Sequence, residues 1–135
     1  MKRIFVVFMV CFCVAPSFAQ SSGVESLVQQ SLEAYNNRDI DGFMALFADS
    51  ISMYDFGVCD KRAEGKAAVR SMYQDFFEAS PQLHSTILKR IVFDNKVIDH
   101  EYIKGARGQK KPYELIFIYE IEHNKIIKTT ALRPQ

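Results

Sequence analysis

At Leu83 the hydrophobic pattern of this chain changes its period, and that switch constrains the fold more than any other feature. Before it, apolar groups recur at helical spacing. Val24, Leu27, Val28, Leu32 and Tyr35 make one face of a helix over 24–37, closed by Asn36-Asn37-Arg38. Asp39 is the expected N-cap of a short second helix carrying Phe43, Leu46 and Phe47. Ile51 to Phe56 reads as a short strand ending at Gly57, and a loop with Cys59-Asp60-Lys61-Arg62 follows. A third helix is expected from Lys66 to Glu78, with Val69, Met72, Tyr73 and Phe76 as its stripe and Ser80-Pro81 as its stop. After the switch the period is 2, with strands expected at 83–93, 97–104, 112–122 and 125–132. Asp94-Asn95 and His123-Asn124 supply the turns, and Lys104 to Lys111 reads as a solvated loop. Helices followed by an antiparallel-rich run define an α+β layout. A strongly curved sheet with helices over its concave face would enclose a pocket.

The N-terminus has the form of an export signal. Lys2 and Arg3 precede an apolar run from Ile4 to Val14, Pro16 breaks it, and Ser17-Phe18-Ala19 offers small residues for cleavage. The run is shorter than the roughly 20 residues that a membrane span needs. The expectation is a signal peptide over 1–19 and one domain over 20–135, periplasmic or secreted. Cleavage leaves 135 − 19 = 116 residues, enough for a core without disulfides or metals. It also removes two of the three cysteines, so Cys59 has no partner within the chain. Without Lys2 and Arg3 the 17 basic groups fall to 15, against 16 acidic ones. Near-neutral charge points away from nucleic acid, and after cleavage no membrane partner is expected.

The stretch Tyr35-Asn36-Asn37-Arg38-Asp39-Ile40-Asp41-Gly42-Phe43-Met44-Ala45-Leu46-Phe47-Ala48-Asp49 resembles the opening of the SnoaL-like branch of the NTF2-like superfamily. Tyr54-Asp55-Phe56-Gly57, the helix start Gly65-x-x-Ala68-Val69-Arg70-x-x-Tyr73, Val97 to Glu101, and Ile118 to Ile121 with Lys125-Ile126 extend the resemblance. It implies a cone of three N-terminal helices on a bent sheet around a pocket, often a homodimer through the outer sheet face. Laid on the ketosteroid isomerases of that superfamily, the general-base aspartate falls on Asp55 and a supporting tyrosine on Tyr73. The two oxyanion donors fall on Ser31 and Phe117, so the isomerase machinery is incomplete here. Loss of one such donor from an acyl-transfer enzyme costs about 3–4 kcal/mol of barrier.

Asp55 is therefore the expected base, facing the pocket mouth among apolar neighbours; its alternative is a turn cap before Gly57. Asp99 and Glu101 share one face of a strand, and the resemblance to the isomerases implies that this face looks into the cone. They form either a polar floor for a ligand or an ion-pair network, with Arg90 and Arg133 as partners. Tyr113, Leu115, Phe117 and Tyr119 alternate on the next strand and should line the same pocket, with Tyr54 beside them. They are ligand walls or plain core. His100 should point outward. No histidine pair has metal spacing, and no phosphate loop or dinucleotide fingerprint is present, so neither metal nor cofactor is expected. The reading is an exported domain that binds a small apolar or carbonyl-containing molecule, with acid–base chemistry at Asp55. The alternative is a non-enzymatic carrier or a dimerisation module.

Overall fold

The computed structural model describes residues 18–134, and their side chains from residue 23 onward. Of the segment 1–19 read as a signal peptide, residues 1–17 lie outside the described residues, and Phe18 and Ala19 open the first helix. Helix α1 (Phe18–Asn37) is followed by α2 (Ile40–Ala45), β1 (Phe47–Asp55), β2 (Lys61–Glu64) and α3 (Lys66–Glu78). Then come β3 (His84–Phe93), β4 (Lys96–Lys104), a single 3-10 turn η1 (Ala106–Gly108), β5 (Tyr113–Glu122) and β6 (Lys125–Leu132). The architecture is α+β, as the change of period requires.

Local chemistry sets the boundaries. Asp39 caps α2 by accepting from the Gly42 N–H at 2.9 Å. The hairpin turns take left-handed backbone at Asp94, His123 and Asn124, with φ of 53°, 48° and 57°. Residue types that tolerate that region fill both turns. The structure departs from the sequence reading most in β1 and β2, and α1 begins at Phe18 rather than at residue 24. Phe47 belongs to β1 rather than α2, because its buried ring opens the inward-facing row of that strand. Lys61 to Glu64, read as loop, is a short strand paired antiparallel with β1. Its four residues are mostly exposed and charged, so only backbone pairing defines it, and charge on an edge strand guards that edge.

The six strands run in the order β2-β1-β6-β5-β4-β3, all antiparallel except the β1–β6 pair. Register shifts at Met53/Tyr54, Ile87/Lys89 and Glu120/Ile121 mark bulges, which bend and twist a sheet. The bent sheet wraps around the helices, with α1 on β3 and β4 and α3 on β1 and β2. Between them lies the core, including Val28, Phe43, Phe47, Ile51, Val69, Val97 and Ile126.

Candidate functional site

The core does not fill the cone. A cavity of about 340 Å³ remains between the helices and the inner face of the sheet, at the lower end of small-molecule sites. Its walls are aromatic. Phe43 and Tyr73 have ring centroids 4.6 Å apart, Tyr35 stacks on Phe76 at 6.1 Å, and Phe117 on Tyr119 at 5.5 Å. Strand β5 contributes Tyr113, Leu115, Phe117 and Tyr119 in alternation, and Tyr54 and Arg133 join the lining. The sequence reading brought these residues together, and so does the fold. Ser31 and Phe117, which stand where the isomerases keep oxyanion donors, both face this space.

Glu101 is the one acidic residue in the lining. It is buried. Ser85 Oγ donates to its Oε2 at 2.7 Å, and the Tyr119 hydroxyl to its Oε1 at 3.2 Å. Ser85 is itself fixed by Asn36, whose Oδ1 accepts from the Ser85 N–H at 2.7 Å while its Nδ2 donates to the Ser85 carbonyl at 2.9 Å. Burial is the main force on the carboxyl. It pushes the Glu101 pKa up to about 7, the two hydroxyls oppose it, and nearby Asp99 adds to the rise. Burial also raises the hydroxyls of Tyr73 and Tyr119, with the charge of Glu101 adding to both, so each stays a neutral donor. Tyr119 donates to Glu101, and Tyr35 and Tyr73 line the same cavity without a hydrogen bond to another described side chain.

Asp99 shares the inward face but not the lining. Arg90 clamps it with two bonds, Nε to Oδ1 and Nη2 to Oδ2, both 2.7 Å, and Arg90 Nη1 reaches Gln29 at 3.1 Å. The two readings kept open for the acid pair thus divide between its members. Asp99 belongs to an ion pair that ties β3 to β4, and Glu101 lines the cavity.

Asp55 departs from expectation. It sits at the pocket mouth, but it does not line the cavity, and its side chain, 37% exposed, is paired with arginines rather than desolvated. Arg133 Nη1 and Arg62 Nη1 share its Oδ1, the latter at 3.4 Å. The cause is topology, because the parallel β1–β6 pairing sets Asp55 opposite Ala131, beside the chain that carries Arg133. Arg133 therefore pairs with Asp55 and not with Asp99 or Glu101. His100 points outward, as its alternation with the acids requires, and bonds Glu114 at 2.7 Å.

Several lining residues were not singled out by sequence reasoning. Arg62 lies on the charged strand β2, which has no hydrophobic pattern to reveal it. Arg107 and Gln109 lie in the segment read as solvated loop. That segment is instead a lip, anchored by buried Ala106 and by the Arg107 N–H donating to Ser80 Oγ at 2.8 Å. Gly105, at φ 73°, was a signal within reach of the sequence reading.

The fold is thus an α+β cone whose helices and sheet enclose an aromatic cavity with Glu101 in its lining. The SnoaL-like domain model matches residues 28–129, so the chain belongs to that family. Among solved structures it is similar to a cystatin-fold protein from Novosphingobium aromaticivorans, at 22% identity and TM-score 0.74. That match covers 82% of this chain and 97% of the other. It is also similar to a candidate ketosteroid isomerase from Kribbella flavida, at 12% identity and TM-score 0.74, covering 84% and 79%. A third similar structure is an epoxide hydrolase from M. tuberculosis, at 12% identity and TM-score 0.68, covering 84% of each chain. At these identities the likeness is one of fold. No curated protein gives a significant match.

Proposed function

We propose that this domain binds a small, largely apolar carbonyl compound in the cone and moves a proton on it with Glu101, without a cofactor. One observation carries the reading: a single buried carboxyl, raised to about 7, set in an aromatic cavity beside neutral tyrosine hydroxyls. Near neutral pH such a group is present in both forms, as base and as acid. The ionised form takes a proton from carbon adjacent to the ligand carbonyl. The C–H electron pair passes into an enolate, whose oxygen accepts a hydrogen bond from Tyr73 or Tyr35. Where the ligand is a β,γ-unsaturated ketone the anion is a dienolate, and the protonated form returns the proton to its γ-carbon, giving the conjugated isomer. In a cyclisation the enolate carbon attacks a second carbonyl of the same molecule, and Glu101 protonates the alkoxide. The base assignment moves from Asp55 to Glu101, because the Asp55 carboxylate is taken by two guanidiniums. Export, expected from residues 1–19, fits chemistry that needs no nucleotide supply.

The test is deuterium uptake from solvent into a panel of enones and 1,3-diketones. The wild type and Asp55→Asn should exchange at similar rates, and Glu101→Gln should lose at least about 100-fold, the lower range for general-base catalysis. Equal rates in all three would remove proton transfer from the reading.

A second reading has its own observation. The outer sheet face exposes Ile91, Tyr102 and Leu132, which favours assembly through that face into a homodimer. Light scattering on the eluting protein tests it, and a monomer at high concentration would count against it.

A further inference from the structure

Three arginines stand around the mouth of the cone. Arg62 comes from β2, Arg107 from η1, and Arg133 from the residue after β6, and all three line the cavity. Their sequence positions are far apart, so the fold gathers them. Arg62 and Arg133 meet on one oxygen of Asp55. The Arg107 guanidinium lies 5.5 Å from the centroid of the Phe76 ring. Each guanidinium carries five N–H donors and keeps its charge at any physiological pH. Two of the three share the single Asp55 carboxylate and the third rests on an aromatic ring, so guanidinium charge and donors outnumber the one paired acid. Their field reaches inward: burial raises the Tyr73 and Tyr113 hydroxyls, and Arg62 and Arg133 pull both back.

The charges are sorted in space. Cations surround the opening, the walls are aromatic, and Glu101 is the one acid in the lining. Guanidinium forks match planar oxyanions and bind them with two parallel hydrogen bonds. A neutral ligand would use none of this, whereas a ligand with an acid group at one end would use all of it.

We propose that the ligand is an apolar monocarboxylate, held with its carboxylate among Arg62, Arg107 and Arg133 and its hydrophobic body inside the cone. The inference rests on the cone being the ligand site and specifies which molecules enter it. Asp55 is then a placeholder that keeps Arg62 and Arg133 aligned and competes with the incoming acid for them. The ligand is thereby oriented, and its carbon skeleton rather than its acid group meets Glu101.

Titration calorimetry with matched acid–amide pairs tests this. The pairs are decanoic acid with decanamide, phenylacetic acid with phenylacetamide, and 1-naphthaleneacetic acid with its amide. In the wild type at least one acid should bind about tenfold more tightly than its amide, with the preference shrinking as salt rises. The double variant Arg62→Gln/Arg133→Gln should lose that preference while binding the amide as before. Asp55→Asn should bind the acid more tightly, by about threefold, an effect that a merely structural Asp55 would not give. Circular dichroism melts confirm that both variants fold. Amides binding as well as acids to the wild type would overturn the inference and leave the cone as a ligand site. A double variant that weakens acid and amide equally would also overturn it. Failure of every pair to bind would overturn both.

Discussion

Replacing Glu101 with Gln should stabilise the domain at neutral and alkaline pH and leave it unchanged in acid. In the folded protein the carboxyl binds its proton up to about pH 7, against an ordinary value of 4.5. The group is buried, so the gap enters stability with little solvent screening. Each tenfold difference in proton affinity is about 1.4 kcal/mol, and the interval from 4.5 to about 7 therefore amounts to about 3 kcal/mol. The sign follows from proton counting. Between these values the unfolded chain has released the proton while the native state retains it, so stability falls as pH rises. Below 4.5 both states are protonated and the term vanishes. Above about 7 it is fully expressed as a cost. A Gln amide keeps both neighbours, with Oε1 accepting from one hydroxyl and Nε2 donating to the other, and it never ionises. Urea unfolding of the wild type and Glu101→Gln at a series of pH values reads the difference directly. It should be close to zero near pH 4.5 and grow to about 3 kcal/mol by pH 8, in favour of the variant. A difference that stays constant with pH would refute the argument.

Three further outcomes follow from the geometry. Asn36→Ala removes both bonds to the Ser85 backbone and should cost about 2 kcal/mol in urea unfolding. It should also displace the hydroxyl that Glu101 accepts from, lowering proton exchange more than its stability loss explains. Arg90→Met leaves the buried Asp99 carboxylate unpaired and should destabilise by about 3–5 kcal/mol, whereas Arg90→Met with Asp99→Leu should recover most of that in the same assay. Gly105→Ala would set a Cβ 2.1 Å from the Gln82 carbonyl oxygen at a backbone φ of 73°. It should lower the melting temperature by several degrees, on the order of 1–3 kcal/mol for such strain, and weaken acid binding by moving the Arg107 lip.

The helices and five of the strands were legible because their apolar residues repeat with the period of the structure that buries them. Val97, Asp99, Glu101 and Ile103 alternate on β4, and all four are buried inward, acids included. Strand β2 was not legible, because Lys61 to Glu64 is short, buries little and carries no apolar alternation, its place being set mainly by main-chain pairing with β1. The inner wall of the site could be read for the same reason as the strands. Its rim could not, because Arg62, Arg107 and Arg133 meet only when β2, η1 and the end of β6 are brought to one end of the sheet. The same limit explains Asp55. Its position in the motif was plain, but the guanidiniums on its oxygen come from residues 62 and 133. A strand-end aspartate in an apolar setting and one between two arginines have the same local sequence.

The central claim is that Glu101 transfers the proton. The pH dependence of kcat/KM for solvent exchange tests it most directly, because that profile reports the ionisation of the free protein's essential group. The rate should rise with pH to a plateau, with its midpoint at about 7, and the step should disappear in Glu101→Gln while persisting in Asp55→Asn. A profile without a step near 7, or one that survives in Glu101→Gln, would contradict the account.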